Sequence, residues 1–209
     1  MDLRGLDTSG VTNMESMFDG CERLTALDLR GLDTSAVQDM SSMFEGCDSL
    51  TALDLSKFDT SSVTEMDSMF FGCDHLTSRT FGGSFNSSGV TDMCFMFYDC
   101  TGLTSLDLSS FNTSCVTDMD FMFYSCFNLT AIIVGADWTT GKVTDSSWMF
   151  DGCYSLAGGG GTKYDRSKPK DKTYAHIDGG TSDPGYLKAI SPVTGVKMNT
   201  QDIFEKGEM

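Results

Sequence analysis

The feature that most constrains this chain is a repeat of about 26 residues. Six cysteines mark it, at intervals of 26 or 27 residues, and each stands three residues before a leucine: Cys21, Cys47, Cys73, Cys100, Cys126 and Cys153. Such regular spacing defines a repeat position rather than a C-x-x-C metal or redox motif. We therefore predict a column of buried free thiols. Cys94 and Cys115 lie outside this column, and we expect them to be unpaired.

Each repeat predicts one short strand and one short helical turn. Leu53 and Leu55 lie two residues apart, so both face the same side of a strand. The spacing i, i+3, i+4 and i+7, typical of one helical face, is met by Met66, Met69, Phe70 and Cys73. Neither element buries its apolar face alone, whereas stacked copies do. The pattern therefore predicts an array of about six repeats over residues 1–157.

The repeat signature resembles that of a known protein family. It is V-T-D-M-x-x-M-F-x-x-C-x-x-L-T-x-L-D-L-S-x-F-D/N-T-S, which residues 103–114 and 116–126 carry almost intact. This resembles the BspA-like leucine-rich-repeat surface proteins of bacteria. The resemblance implies an α/β leucine-rich-repeat solenoid, with short parallel strands on one face, short helical turns on the other and a C-terminal cap. It also implies a secreted or cell-surface protein, without catalytic residues, that adheres to host matrix proteins or other cells.

Both ends of the chain depart from the repeat. Because residues 2–9 form the second half of a repeat, we interpret Met1 as a cut point in a longer array. The repeat stops at residue 157, and residues 158–209 are expected to form a C-terminal cap and tail. In that region we interpret 158–161 as a flexible glycine joint, 173–178 as a strand and 179–185 as a turn. The chain is expected to fray after about Tyr186.

The acidic charge of the repeats excludes several classes of partner. Residues 1–157 hold 23 acidic and 6 basic side chains, within a chain of formal net charge −16. Such a surface repels phosphate, which argues against nucleic acid and anionic membranes as partners. No apolar run approaches the length of a membrane span, and the N-terminus has no signal-peptide pattern. Basic protein surfaces, cations and neutral glycans remain as partners.

A short polar motif follows each of the first five strand positions. It is an Asp or Asn followed by Thr or Ser, and its first residues are Asp7, Asp33, Asp59, Asn86 and Asn112. Such side chains bond backbone groups two or three residues further on, so they turn and cap the chain. We predict a structural polar ladder here. Calcium bound along the carboxylates is the alternative, although no EF-hand-like spacing supports it.

Catalysis is not expected from this sequence. The chain has only two histidines, His75 at a variable repeat position and His176 in the expected cap. Its carboxylates recur as repeat positions with no unique pair, and the glycine run lacks the Lys-Ser/Thr of a phosphate loop. We therefore predict no enzyme activity, no cofactor and no metal site.

Two surfaces are candidates for binding. The first is an acidic strand face, formed by Asp28, Asp54 and Asp107, which is either simply solvated or meets a basic partner or a cation. The second is an aromatic face on the outer side of the predicted helical turns. Its residues are Phe71, Phe95, Tyr98, Phe121, Tyr124 and Trp148, at positions where the first two repeats carry Ser, Asp or Glu.

The aromatic face leaves three interpretations open, because an exposed apolar patch usually marks a contact. The C-terminal tail covers it, subunits associate through it, or it binds a ligand. Adhesion to host extracellular-matrix or cell-surface proteins is the function we expect. One alternative is carbohydrate binding, in which the aromatic rings stack on a sugar. The other is a structural spacer of a longer surface protein, which has no ligand of its own.

Overall fold

The computed structural model describes residues 3, 5–81 and 85–190. Its five strands are β1 (Ala52–Leu55), β2 (Ser78–Phe81), β3 (Ser105–Leu108), β4 (Ala131–Val134) and β5 (Leu187–Ala189). Strands β1 and β2 form one parallel sheet, and β3, β4 and β5 form a second in that order. Two short 3-10 helices, Lys172–Tyr174 and Gly180–Ser182, lie in the C-terminal region. The predicted cut point at Met1, and most of the expected frayed end, fall outside the described residues.

The predicted α/β leucine-rich-repeat solenoid, in which strands alternate with helical turns, is wrong. No α-helix occurs in the described ranges, and their strands form only two small parallel sheets. Segments expected to be helical turns contain two residues of positive φ per repeat, for example Ser42 at 54° and Gly46 at 63°. An α-helix of L-residues requires negative φ throughout, so these residues break it twice in five positions.

Hydrogen bonds between repeats explain why these segments are turns. In the second repeat, alternate backbone N–H groups donate to carbonyls of the next repeat over 2.8–3.1 Å; the donors are Met40, Ser42, Phe44 and Gly46. The intervening N–H groups of Met43, Glu45 and Cys47 donate to the carbonyl three residues back. Helical bonding to the fourth residue back would forfeit the bonds between repeats. The chain therefore forms successive tight turns joined to the neighbouring repeat.

The backbone bonds that residues 40–46, and their counterparts in the other repeats, make to neighbouring repeats all point in one direction. Each participating peptide group accepts a bond from the preceding repeat and donates one to the following repeat. In the Met43–Phe44 peptide, for example, the carbonyl accepts the Phe18 N–H and the N–H donates to the Met69 carbonyl. In a parallel β-sheet, successive peptide groups along one strand point to opposite neighbours instead. The turn-segment dipoles therefore add along the array, as they do in a helix. N–H groups must consequently emerge at the C-terminal end of the repeats.

The core is built from rows of identical side chains. Six phenylalanine rings stack at centroid distances of 5.3–5.9 Å; they belong to Phe18, Phe44, Phe70, Phe97, Phe123 and Phe150. Five of the column cysteines are fully buried, and each thiol donates to a phenylalanine carbonyl of the preceding repeat over 3.0–3.3 Å. Burial raises the pKa of Cys47 to about 12. The predicted column of buried free thiols is confirmed from Cys47 onward, while Cys21 is partly exposed.

The polar ladder is confirmed as a structural element. Five buried hydroxyls each bridge to one residue of the next repeat, donating to its carbonyl and accepting from a backbone N–H; they belong to Thr8, Thr34, Thr60, Ser87 and Thr113. The Asp or Asn before each hydroxyl caps its own turn; Asp33, for example, accepts the Ser35 N–H at 3.0 Å. The ladder thus satisfies the backbone groups of the turns.

Residues 158–190 cover the end of the sixth repeat. Strand β5 pairs with β4, with Leu187 opposite Ile132, where the strand of another repeat would lie. Tyr186 is fully buried and packs its ring edge-on against Phe150 at 5.4 Å. The carbonyl of Lys170 accepts the Phe150 N–H, which points out of the last repeat. This segment therefore covers much of the C-terminal end of the array and satisfies its Phe150 N–H.

Three local predictions for this cap are wrong. Residues 173–178 do not form the expected strand, because the chain there begins in a 3-10 helix, and β5 extends order beyond Tyr186. The glycine run at 158–161 is packed rather than a free joint. A Cβ at Gly158 would lie 2.5 Å from the Asp178 carboxylate and 2.2 Å from the Gly185 carbonyl, so only glycine permits this close approach.

Candidate functional site: the aromatic ladder

Two rows of stacked rings line the outer side of the turn segments. Phe71, Tyr98 and Tyr124 form one row, with centroids 4.5 and 4.9 Å apart and rings 4° and 11° from parallel. Phe95 and Phe121 form the other, 4.9 Å apart and 6° from parallel. We call these five residues the aromatic ladder. All five side chains are partly exposed, so the ladder forms an apolar stripe at the surface.

The backbone under the second row is left-handed. Phe95 has φ of 55° and Phe121 of 56°, a conformation that costs an L-residue about 1–2 kcal/mol. Ser16, Ser42 and Ser68 adopt the same conformation at this position of the first three repeats. The repeat therefore imposes this backbone whatever the side chain. Since serine fills the position equally, the fold does not require the aromatic rings.

Trp148 occupies the same position in the sixth repeat but is not part of the stack. Its φ is 58°, and 56% of its surface is exposed. In the described part of the chain, its indole has no ring contact with Phe121 or with any other aromatic residue. The structure therefore brings five of the six predicted aromatic residues together and leaves Trp148 apart.

The described part of the tail does not cover the ladder. Tyr164 instead packs edge-on against Tyr154 at 5.6 Å and donates its hydroxyl to Asp151 at 2.9 Å. The guanidinium of Arg166 lies 4.5 Å from the centre of the Tyr154 ring. No ring contact joins residues 158–190 to the ladder. Residues 158–190 of the tail therefore pack on Tyr154 and lie beside Trp148 rather than stacking on the ladder, while residues 191–209 lie outside the described ranges.

An acidic row that sequence reasoning missed runs through the same turn segments. We call it the acidic ladder; its members are Asp39, Glu65, Asp92, Asp118 and Asp145, paired in parallel register from repeat to repeat. Asp92 and Asp118 stand three residues before Phe95 and Phe121 in the chain. The V-T-D stretch of the repeat signature was the signal that could have located this row.

Carboxylates crowd along the acidic ladder. Ligand oxygens of Glu65, Asp67 and Asp92 lie within 4.8 Å of one another, as do the ligand atoms of Asp92, Cys94 and Asp118. Burial, reinforced by the charge of Asp92, raises the pKa of Glu65. Burial also raises the pKa of Asp118. Asp92 and Asp118 each accept the backbone N–H two residues on, so these side chains also cap the turns.

The acidic strand face is more dispersed than the ladders. Asp28, Asp54 and Asp107 are all exposed, and each accepts a backbone N–H two residues on. Asp28 also forms an ion pair with Arg30 at 2.7 Å. Asp54 in β1 lies opposite Thr80 and Asp107 in β3 opposite Ile133, so no two of these acids lie on paired strands. The structure places Asp28, Arg30 and Asp54 around one surface pocket and leaves Asp107 apart.

Comparison with known proteins gives one family match. A protein-family model described as DUF285, Mycoplasma protein of unknown function, matches residues 1–82 and 52–161. The curated proteins and the solved structures each contain no match to the chain. Within the described ranges, no helix has the length and apolar character needed to span a membrane.

Proposed function

We propose that the chain, which belongs to the DUF285 family, is a non-catalytic binding module that recognises a partner protein through its aromatic ladder. The observation that carries this proposal is the ladder itself. Five partly exposed rings stack at positions that serine, aspartate and glutamate fill in the first two repeats. Because the fold does not need these rings, a contact outside the chain is the best account of them.

Ring geometry favours a protein over a sugar as the ligand of the ladder. A sugar stacks on the face of an aromatic ring, but in the ladder neighbouring rings cover one another's faces. Edges, tyrosine hydroxyls and the outer faces of the rings that end each row are what remain for a ligand. Apolar side chains of a protein pack well against such edges, and its polar groups bond the hydroxyls. Carbohydrate binding across one face centred on Phe95, Tyr98, Phe121, Tyr124 and Trp148 is therefore the weaker alternative.

Charge further defines the partner. The acidic ladder belongs to the same turn segments, and the described residues contain no Lys or Arg ion pair with it. A partner that presents lysine or arginine beside apolar side chains would complement both rows, and the charges would speed its association. The resemblance to BspA-like proteins supports a host extracellular-matrix or cell-surface protein as partner and a secreted or surface location. A spacer without a ligand is the other alternative.

A double variant of the fifth repeat tests the proposal. Phe121→Ser with Tyr124→Glu reproduces the second repeat, which carries Ser42 and Glu45 in the same backbone conformation, so the variant should fold. We expect binding to a panel of immobilised matrix proteins to fall at least tenfold, which corresponds to about 1.4 kcal/mol. Binding should also weaken with added salt.

A matched control is Asp54→Asn on the acidic strand face, which should keep full binding. Unchanged binding by the folded double variant would place the contact elsewhere. Binding that disappears only in the Asp54 variant would move it to the strand face. If no matrix or cell-surface protein binds the intact chain, the spacer alternative replaces this proposal.

A further inference from the structure

An open pocket lies between the sixth repeat and the cap, apart from the aromatic ladder. Residues 144–148 and 170–173 line this pocket, which has a volume of about 550 Å³. The pocket stays open because the cap contacts the sixth repeat on both sides of the pocket. Tyr164 and the carbonyl of Lys170 meet the repeat at Asp151 and Phe150, and the backbone of Lys172 donates to the Ser146 hydroxyl at 3.2 Å.

Backbone donors emerge into this pocket. The peptide groups of the turn segments point their N–H groups toward the C-terminal end of the array, and the sixth repeat is the last to do so. The carbonyl of Lys170 accepts the Phe150 N–H at 3.0 Å. Neither Ser146 N–H nor Trp148 N–H has an acceptor among the residues that the structure describes. Both residues line the pocket, so a ligand oxygen placed there gains donors at the positive end of aligned dipoles.

Acceptors stand beside these donors. One oxygen of Asp145 accepts the Thr144 hydroxyl and one oxygen of Asp171 accepts the Thr173 N–H, both at 2.9 Å. In the described ranges the second oxygen of each carboxylate has no hydrogen-bond donor. Lys170 and Lys172 balance the two carboxylates in charge, although their amino groups already bond backbone carbonyls. The pocket thus offers donors and acceptors without net charge, which suits hydroxyl groups because a hydroxyl both donates and accepts.

An aromatic platform completes the site. Trp148 is the most exposed large apolar side chain of the described residues, at 56%, and no neighbouring ring covers its faces. This distinguishes it from the ladder, where stacking hides the faces. We infer that the pocket binds a neutral saccharide unit. The sugar ring lies on the indole of Trp148. The hydroxyls of the sugar accept from the backbone N–H of Trp148 and donate to the carboxylates of Asp145 and Asp171. This site does not depend on the proposed function of the ladder.

Nuclear magnetic resonance of the whole chain tests the inference, since its only tryptophans are Trp138 and Trp148. The probes are methyl glycosides of glucose, galactose, mannose and N-acetylglucosamine, each titrated to about 10 mM, a level that detects a millimolar site. We expect at least one glycoside to shift the indole and backbone N–H signals of Trp148. Trp138 should not respond, because its indole N–H already donates to the Ala175 carbonyl at 2.9 Å.

Three variants make the test specific. Trp148→Ser introduces the residue type that the first repeat carries at this position, Ser16, which has a similar φ. Asp145→Asn introduces the residue type that the first repeat carries at Asn13. We expect the first to abolish glycoside binding and the second to weaken it at least fivefold. Phe121→Ser in the ladder should leave glycoside binding unchanged. An unchanged Trp138 signal verifies that the cap remains folded.

Two outcomes would overturn the inference. In one, none of the four glycosides shifts the Trp148 signals of the intact chain. In the other, a glycoside binds Trp148→Ser, followed through backbone N–H signals, as tightly as it binds the intact chain.

Discussion

Replacing Thr60 by valine tests whether the buried polar ladder holds neighbouring repeats together. The hydroxyl of Thr60 is fully buried; it donates to the Asn86 carbonyl at 2.9 Å and accepts the Asn86 N–H at 2.6 Å. Valine has nearly the same shape, so Thr60→Val removes the two hydrogen bonds without opening a cavity. Any loss of stability then reports on the bonds.

The magnitude follows from the two groups left without partners. A buried backbone donor or acceptor that loses its bond costs about 1–3 kcal/mol. Because the Asn86 side of the bond is only partly buried, water recovers some of this cost. We expect Thr60→Val to lower the free energy of unfolding by about 2–3 kcal/mol. Thr60→Ser keeps both bonds, as Ser87 does in the next repeat, and should lose only about 1 kcal/mol for one methyl group.

Urea denaturation followed by circular dichroism gives the order of stability, with equal m-values as the check that the transitions are comparable. Repeat proteins do not always unfold in one step, so hydrogen exchange at the Asn86 amide gives a local measure. Valine should remove its protection, and serine should retain it. A valine variant as stable as the serine variant, with the Asn86 amide still protected, would refute the reasoning.

Two further predictions concern backbone strain and the cap. Ser125 has φ of 61°, at the position that Gly20, Gly46 and Gly72 occupy in the first three repeats. Because glycine adopts positive φ without strain, Ser125→Gly should raise the free energy of unfolding by about 0.5–1 kcal/mol. A lower melting temperature of the variant would contradict this prediction. Burial opposes ionisation of Asp178, which is 7% exposed, but hydrogen bonds from Thr162, Gly180 and Gly185 outweigh it and lower its pKa to about 2. Since the folded pKa is below the unfolded value, this group stabilises the fold above about pH 4 and loses that effect as the pH falls through about 2. Asp178→Asn should therefore lower the free energy of unfolding by about 2 kcal/mol or more at pH 7. Near pH 2 the difference in this free energy between the variant and the parent chain should be smaller by about 2 kcal/mol. Calorimetry that finds the same difference at both pH values would contradict the prediction.

Apolar periodicity identified the buried side chains of the turn segments but not their backbone. Met66, Met69, Phe70 and Cys73 are all fully buried, as one helical face would be. The same spacing also suits successive tight turns, because a left-handed residue between the turns returns the chain to the same side. Gly72, next to the column cysteine, was the available signal, since a glycine that recurs inside a helical pattern marks positive φ. Ser68 adopts positive φ without any such signal.

The two candidate sites differ in how far the sequence could predict them. Stacking in the aromatic ladder follows from the repeat length, because residues 26 or 27 apart lie side by side once the repeats align. Whether Phe95 and Phe121 present faces or edges to solvent depends on side-chain rotamers, which periodicity does not determine. The pocket at Trp148 was beyond sequence reasoning, because four of its nine lining residues come from a cap that has no repeat pattern.

The direction of the peptide groups connects the fold to both proposed sites. The contacts that recur along the array run through backbone atoms, the inward phenylalanines and the buried hydroxyls, whereas outward contacts such as the aromatic ladder occur in some repeats only. An array built this way accepts serine in one repeat and phenylalanine in another at the same φ, as Ser42 and Phe121 demonstrate. Binding surfaces can therefore change while the fold is kept. Among the described residues, the same one-directional bonding ends in N–H groups of Ser146 and Trp148 that have no acceptor at the sixth repeat, and these groups, beside an exposed indole, are the basis of the saccharide site that we infer.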